Sequence, residues 1–347
     1  MIFNNDDADV RQIMQTVIVI GVMSSLNLRT LATGLVLVAP LALAACGSDE
    51  TSTAEPAGDC PTTPVDVVVS VDQWGDIVSE LGGACAKVTT VLAGSSVDPH
   101  DFEPSPSDAA KFEGAQLVVI NGGHYDEWAA KLAESSAPNA PIVAAIEDAG
   151  AHEGETHDHG HEEEGHDHGE GTNPHAWYSP AAVTSVADAV TAKLGELAPD
   201  AKDYFAQRRT AFTDSMKPYN QLIDDIKTNA SGKTYAATEA VFDDMAAAVG
   251  LVNRTPEGYQ VASSNESDPS PADLDAFLRL LADKGVDVLI YNTQTEGSVP
   301  QQIRSAAEAA GVPVVDVTET VAPGTDSFEA WQVDQLTSLA KALGVQS

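Results

Sequence analysis

Positive charge is what this chain has least of. Seventeen Lys and Arg face 53 Asp and Glu in 347 residues, a formal net charge of −36. So acidic a surface repels phosphate backbones and anionic membrane faces, which argues against nucleic acid or such a surface as partner. Cysteine is almost as scarce, with only Cys46, Cys60 and Cys85. Long apolar runs are missing too. The most apolar stretch, residues 31–45, is broken by Thr33, Gly34 and Pro40, and it falls short of the ~20 residues a spanning helix needs. Finally, the His-Glu-x-x-His spacing of zinc hydrolases is absent. Glu162 follows His161, but His166 comes one position too late, so an enzyme reading loses its main support.

What the chain does have is histidine in unusual places. Six of its nine crowd into residues 151–170: His152, His157, His159, His161, His166 and His168, interleaved with acids. Two others stand in proline-framed settings, His100 in DPHDFEP and His175 in NPHAW. Neutral imidazole is a ready ligand for borderline metals such as zinc, so metal handling leads. The crowded stretch has no core-forming residues and reads as an accessory loop that binds zinc weakly and exchangeably.

The start of the chain indicates where it works. Arg29 precedes the short apolar run, which ends in Leu43-Ala44-Ala45-Cys46. A positive flank, a short apolar core and small residues before a cut site describe a secretory signal, residues 1–46. Its end resembles a bacterial lipobox, with Cys46 acylated as the mature N-terminus. Residues 1–22 precede a better start at Met23. Residues 47–61 are small and polar and read as a flexible tether. In an exported chain, Cys60 and Cys85 suggest one disulfide, tying the start of the first strand to the segment after the first helix.

Strand and helix signals then alternate. Residues 65–71 (VDVVVSV), 88–92, 117–120 and a segment from 141 read as strands, with helices at 74–81, near Ser107 or Asp108, and from Asp126. Ser179-Pro180 is a hydroxyl cap followed by a first-turn proline, and opens another helix. Residues 200–230 carry Phe205, Phe212, Met216, Tyr219, Ile223 and Ile226 at helical spacing, a helix roughly 45 Å long with Pro218 set to kink it. Strands at 234–238, 286–291 and 312–317 and helices at 241–249, 271–282, 300–310 and 328–343 follow. The fold class is therefore α/β: two lobes with parallel sheets, residues 62–198 and 231–347, joined by a long backbone helix at 199–230.

Ligand sites in such lobes lie beyond the carboxyl ends of strands. Metal-capable residues there are His100, His175, Glu239 after YAAT, and Asp316 and Glu319 in VPVVDVTET. They are drawn from both halves, as a cleft between lobes requires. His124, in NGGHYDEW, is a weaker candidate, and Glu266 a supporting loop residue.

At this point a resemblance becomes specific. DPHDFEPSPSD, NPHAWYSP and TEAVFDDMAAAVGL resemble the ligand segments of the substrate-binding lipoproteins of zinc/manganese ABC transporters, the rigid-linking-helix type (cluster A-I, ZnuA/TroA-like). The likeness covers essentially residues 62–347. It implies a metal held by His100, His175, Glu239 and Glu319, with Asp316 as fallback. It also implies delivery to an ABC permease and its ATPase, a monomer, no catalysis, and a place at the outer face of the cytoplasmic membrane or in the periplasm. Release by moving loops rather than by wide hinge closure is implied as well. Many zinc members carry histidine where Glu239 stands and several manganese members carry glutamate, which keeps Mn2+ as the alternative. The histidine-rich loop pulls the other way, since clustered imidazoles suit zinc and manganese prefers harder oxygen ligands, so Zn2+ is favoured. A metal-binding adhesin or passive zinc buffer is the competing class.

Overall fold

A computed structural model describes residues 59–94, 102–146 and 173–345, apart from Glu266, Glu296, Pro323 and Asp326. The signal segment with Cys46, most of the tether, His100 and all six loop histidines lie outside the described residues.

The first half runs β1 (Val65–Val71), α1 (Asp72–Gly82), β2 (Ala86–Leu92), α2 (Pro106–Phe112), β3 (Leu117–Gly122), α3 (Glu127–Ser136), β4 (Ile142–Ile146) and α4 (Pro180–Leu197). Two helices follow, α5 (Lys202–Ser215) and α6 (Lys217–Ala230). The second half runs β5 (Thr234–Ala237), α7 (Asp243–Ala248), β6 (Val252–Asn253), α8 (Glu257–Ser264), α9 (Pro271–Ala282), β7 (Val288–Asn292), α10 (Ser298–Ala310), β8 (Val314–Val317) and α11 (Phe328–Ala342). The sheets are ordered β2-β1-β3-β4 and β6-β5-β7-β8, and every pairing is parallel. The halves thus repeat one topology, and the expected pair of parallel α/β lobes is what forms.

Local chemistry explains the elements. β1 is valine-rich because helices cover both faces of a parallel sheet, and all of it but Asp66 is buried. Ser179 caps α4 by accepting from the Ala182 N–H, with Pro180 in the first turn. α2 is capped one turn earlier than its sequence suggests: Asp108 reaches back to the Ser105 N–H at 2.9 Å, so Ser105 is the boundary. The run 200–230 is divided at Met216, because Pro218 has no N–H and its ring crowds the carbonyl of Asp214. Its apolar stripe still continues across the break, with Phe205, Phe212, Met216, Tyr219, Leu222 and Ile226 all buried. Cys60 and Cys85 are joined as a disulfide. Among the described residues no helix is long and apolar enough to cross a membrane.

The main hydrophobic core is contiguous from Val65 to Leu343. It takes in Val67 and Trp74 from the first half, Trp177, Phe205 and Phe212 from the middle, and Phe242, Val288 and Trp331 from the second. Smaller cores lie around Phe112 and Phe277.

One face of α1 works against this packing. Burial pushes the Asp76 carboxyl up to about 6, and the charges of Asp72 and Glu329 add to it. A folded-state pKa above the unfolded one means stability present below pH ~4 and lost as pH rises through 6. Asp76→Asn removes that charge and should raise the melting temperature at pH 7.5 by about 2–3 °C. That is ~1 kcal/mol after discounting for the half-exposed setting. The gain should vanish at pH 4, and a variant equally shifted at both pH values would contradict the electrostatic origin.

Candidate metal site

Three of the four expected ligands are brought near one another. Glu239 follows β5, Glu319 follows β8, and His175 arrives on the segment leading into α4. Between the glutamates stands Asn292, the last residue of β7, which the sequence reading passed over.

His175 is held from behind. Asn173 Oδ1 lies 2.7 Å from its Nδ1 and accepts its backbone N–H at 3.2 Å. The Nδ1–H tautomer therefore fits, placing the lone pair on Nε2. Only 8% of the residue is exposed. The Trp177 ring packs edge-on at 5.4 Å and the Tyr125 ring at 6.2 Å. The segment is tied to the first sheet by Asn121, whose Nδ2 donates to the Pro174 carbonyl at 2.7 Å. Asn121 is itself fixed by the Trp74 indole on its Oδ1 and by Asp126 on its N–H.

Glu239 is extended and precedes a short turn, residues 240–242, without capping it. One of its oxygens, Oε2, accepts from Asn292 Nδ2 at 2.5 Å. Glu319 Oε1 accepts from the same nitrogen at 2.7 Å. The Glu319 backbone is clamped on both sides: its N–H donates to Gln294 Oε1 at 2.6 Å, and its carbonyl accepts from Gln73 Nε2 at 2.7 Å. Gln73 belongs to α1, so this bond crosses from one lobe to the other. So does the bond from Asn173 Nδ2 to the Ala240 carbonyl, at 3.0 Å. Behind Glu319, the Tyr178 hydroxyl lies 2.7 Å from the Thr318 carbonyl, and the Trp331 indole donates to Thr318 Oγ1 at 2.9 Å.

His175 Nε2 and Glu319 Oε2 face each other at 3.9 Å. A tetrahedral zinc with bonds of ~2.0–2.2 Å holds neighbouring donors about 3.3–3.6 Å apart, so a small tightening would bring both into range. Two carboxylates sharing one amide in a poorly solvated cleft repel each other, and a divalent cation offsets that repulsion. Among the described residues no group of three His, Cys, Asp or Glu forms a ready metal cluster. A small recess, lined by Asp243, Thr255, Tyr259 and Ser263, reaches Glu239.

The other candidates fall elsewhere. Asp316 lies on the exposed side of β8 and is engaged by Arg304, Nη1 to Oδ1 at 2.5 Å. His124 is a turn residue with φ 67°. Its side chain is exposed and pairs with Glu127 at 2.7 Å. Neither joins the cleft. Glu266, like His100, lies outside the described residues.

Comparison with known proteins identifies the family. The family profile described as "Zinc-uptake complex component A periplasmic" matches residues 67–342. The high-affinity zinc uptake system protein ZnuA of Bacillus subtilis is 27% identical over 268 residues, 76% of this chain and 81% of that one. The manganese-binding lipoprotein MntA of Halalkalibacterium halodurans is 24% identical over 190 residues, covering 55% of this chain and 57% of its own length. The zinc-binding lipoprotein AdcA of Streptococcus pneumoniae is 24% identical over 57% of this chain, which spans only 39% of AdcA. The laminin binding protein of Streptococcus agalactiae shares the fold, with TM-score 0.62 and 22% identity over 81% of this chain and all of that one. With its two parallel-sheet lobes and the match across nearly all of both, this chain belongs to the zinc-uptake complex component A family of periplasmic metal-binding proteins.

Proposed function

We propose that the chain is an extracytoplasmic receptor that captures one divalent metal ion in the cleft and delivers it to an ABC permease and its ATPase. Zinc is the favoured cargo and manganese the alternative, a choice also posed by relatives named for each metal. The observation that carries this reading is the convergence of His175, Glu239 and Glu319 from both lobes, with Asn292 bridging the carboxylates. His100 completes the proposed shell of two imidazoles and two carboxylates, a donor set suited to a borderline cation. The protein binds and releases without chemistry on the ion, as a monomer, anchored through acylated Cys46 at the outer face of the cytoplasmic membrane or in the periplasm. The loop histidines, His152 to His168, collect zinc weakly beside this site. Residues 199–230 serve as the linking helical element between the lobes.

The test is a calorimetric competition between zinc and manganese on the exported chain lacking residues 1–46, with and without residues 151–170. The compact unit Glu55–Ser347 is retained in both forms, the deletion apart. One tight zinc site that survives loop deletion supports the receptor. Tight binding that disappears with the loop means a zinc buffer, and a manganese-preferring site reverses the cargo.

A further inference from the structure

Asn292 is buried, with 2% of its surface exposed, and each end of its side-chain amide is committed. Its Oδ1 accepts the Gln294 N–H at 3.0 Å, a side-chain turn of the kind asparagine forms with a residue two positions on. Since that N–H can only donate, the oxygen must face it and the NH2 must face the glutamates; the orientation follows from the neighbours. The Asn292 backbone N–H donates to Thr238 Oγ1 at 3.1 Å, which holds the residue against β5. Both amide protons are then spent on carboxylates, one on Glu239 Oε2 and one on Glu319 Oε1.

We propose that Asn292 sets the metal preference of the site by tying down one oxygen of each glutamate, so that each can offer at most one oxygen to the ion. This rests on the reading of His175, Glu239 and Glu319 as ligands. A carboxylate chelates only when both oxygens turn toward the metal. Turning either glutamate that far breaks a charge-assisted hydrogen bond in a poorly solvated cleft. Held to one oxygen each beside the single imidazole nitrogen of His175, the two carboxylates keep the number of protein donors low, which suits the four-coordinate geometry zinc adopts. Manganese favours a larger, oxygen-rich shell, which chelating carboxylates would supply and the amide withholds. Asn292 is a positioning residue: it acts on the metal through Glu239 and Glu319 without touching it.

The experiment uses the full chain in detergent, stripped by a chelator, unaltered and with Asn292→Ser. Serine keeps an acceptor for the Gln294 N–H but cannot bridge the carboxylates. Two readouts are taken: the zinc-to-manganese affinity ratio, and the visible bands of bound cobalt(II), which are intense in four-coordinate sites and weak in six-coordinate ones. The expected result is intense cobalt bands in the unaltered protein. In the variant the bands should weaken and the ratio should fall about tenfold, equivalent to ~1.4 kcal/mol. Unchanged bands and an unchanged ratio in a folded variant overturn the role of Asn292. If Asn292→Ser does not fold, Asn292→Thr, which keeps the same hydroxyl, is read by the same two criteria. An unaltered chain with no tight site for either metal overturns the ligand reading itself, a failure distinct from that of Asn292.

Discussion

Replacing His175 by alanine is expected to weaken zinc binding about a thousandfold, ~4 kcal/mol, with little loss of fold. Groups that merely orient a metal ligand are typically worth ~10–100-fold, and removal of the imidazole itself lies beyond that. The contrast variant is Asn173→Ala, which leaves the ring but removes the acceptor 2.7 Å from Nδ1. It should cost only about tenfold to a hundredfold, since the ring can still reach the ion in a less favoured tautomer. Calorimetry on both variants decides. Equal losses would mean that Asn173 shapes the whole segment rather than the tautomer. A His175→Ala protein that binds zinc normally would remove the residue from the shell.

The second large effect concerns packing. Trp177 is fully buried, with ring contacts to Tyr125 at 5.0 Å, His175 at 5.4 Å and Tyr178 at 6.4 Å. Trp177→Ala should cost about 3–5 kcal/mol, a fall of roughly 10 °C in melting temperature for a protein of this size. Trp177→Phe should cost much less. It keeps an aromatic ring in place and removes an indole N–H that has no partner among the described residues, a group that is costly to leave unsatisfied. Scanning calorimetry of the metal-free proteins measures both. A loss below 1 kcal/mol for the alanine variant would show that the core refills the space around His175.

The sheets were legible because their strands are β-branched runs between turn signals, and Val65–Val71 needs little else. What was missed follows from the limits of pattern. β6 is two residues long, below any periodicity. α8 has Tyr259 as its one buried residue and so shows no stripe. The division of 200–230 was harder, because the apolar spacing continues past Pro218 while the hydrogen bonding does not. At the proposed site, His175, Glu239 and Glu319 were candidates because metal-capable side chains just past strand ends suit a ligand site in such lobes. The preference for Glu319 over Asp316 rested on the resemblance; the physical reason appears only in the fold, where Asp316 lies on the exposed side of β8 and Arg304 takes it. Asn292 was invisible for a related reason. Its part depends on two glutamates remote in sequence, one 53 residues before it and one 27 after it, and an asparagine at the end of a strand announces neither.

The contiguous core has a consequence for how this protein is made. Its apolar residues come from both ends of the described chain, from Val65 in the first strand to Leu343 just past the last helix. Trp331, Leu336 and Leu339 of that last helix lie against residues contributed much earlier in synthesis. Until the C-terminal helix is in place, the first half lacks surfaces that complete its burial. Final closure must therefore wait for the C-terminal helix, however early the first strands are made. A truncation that removes α11 should then leave no independently stable remainder rather than a smaller folded one.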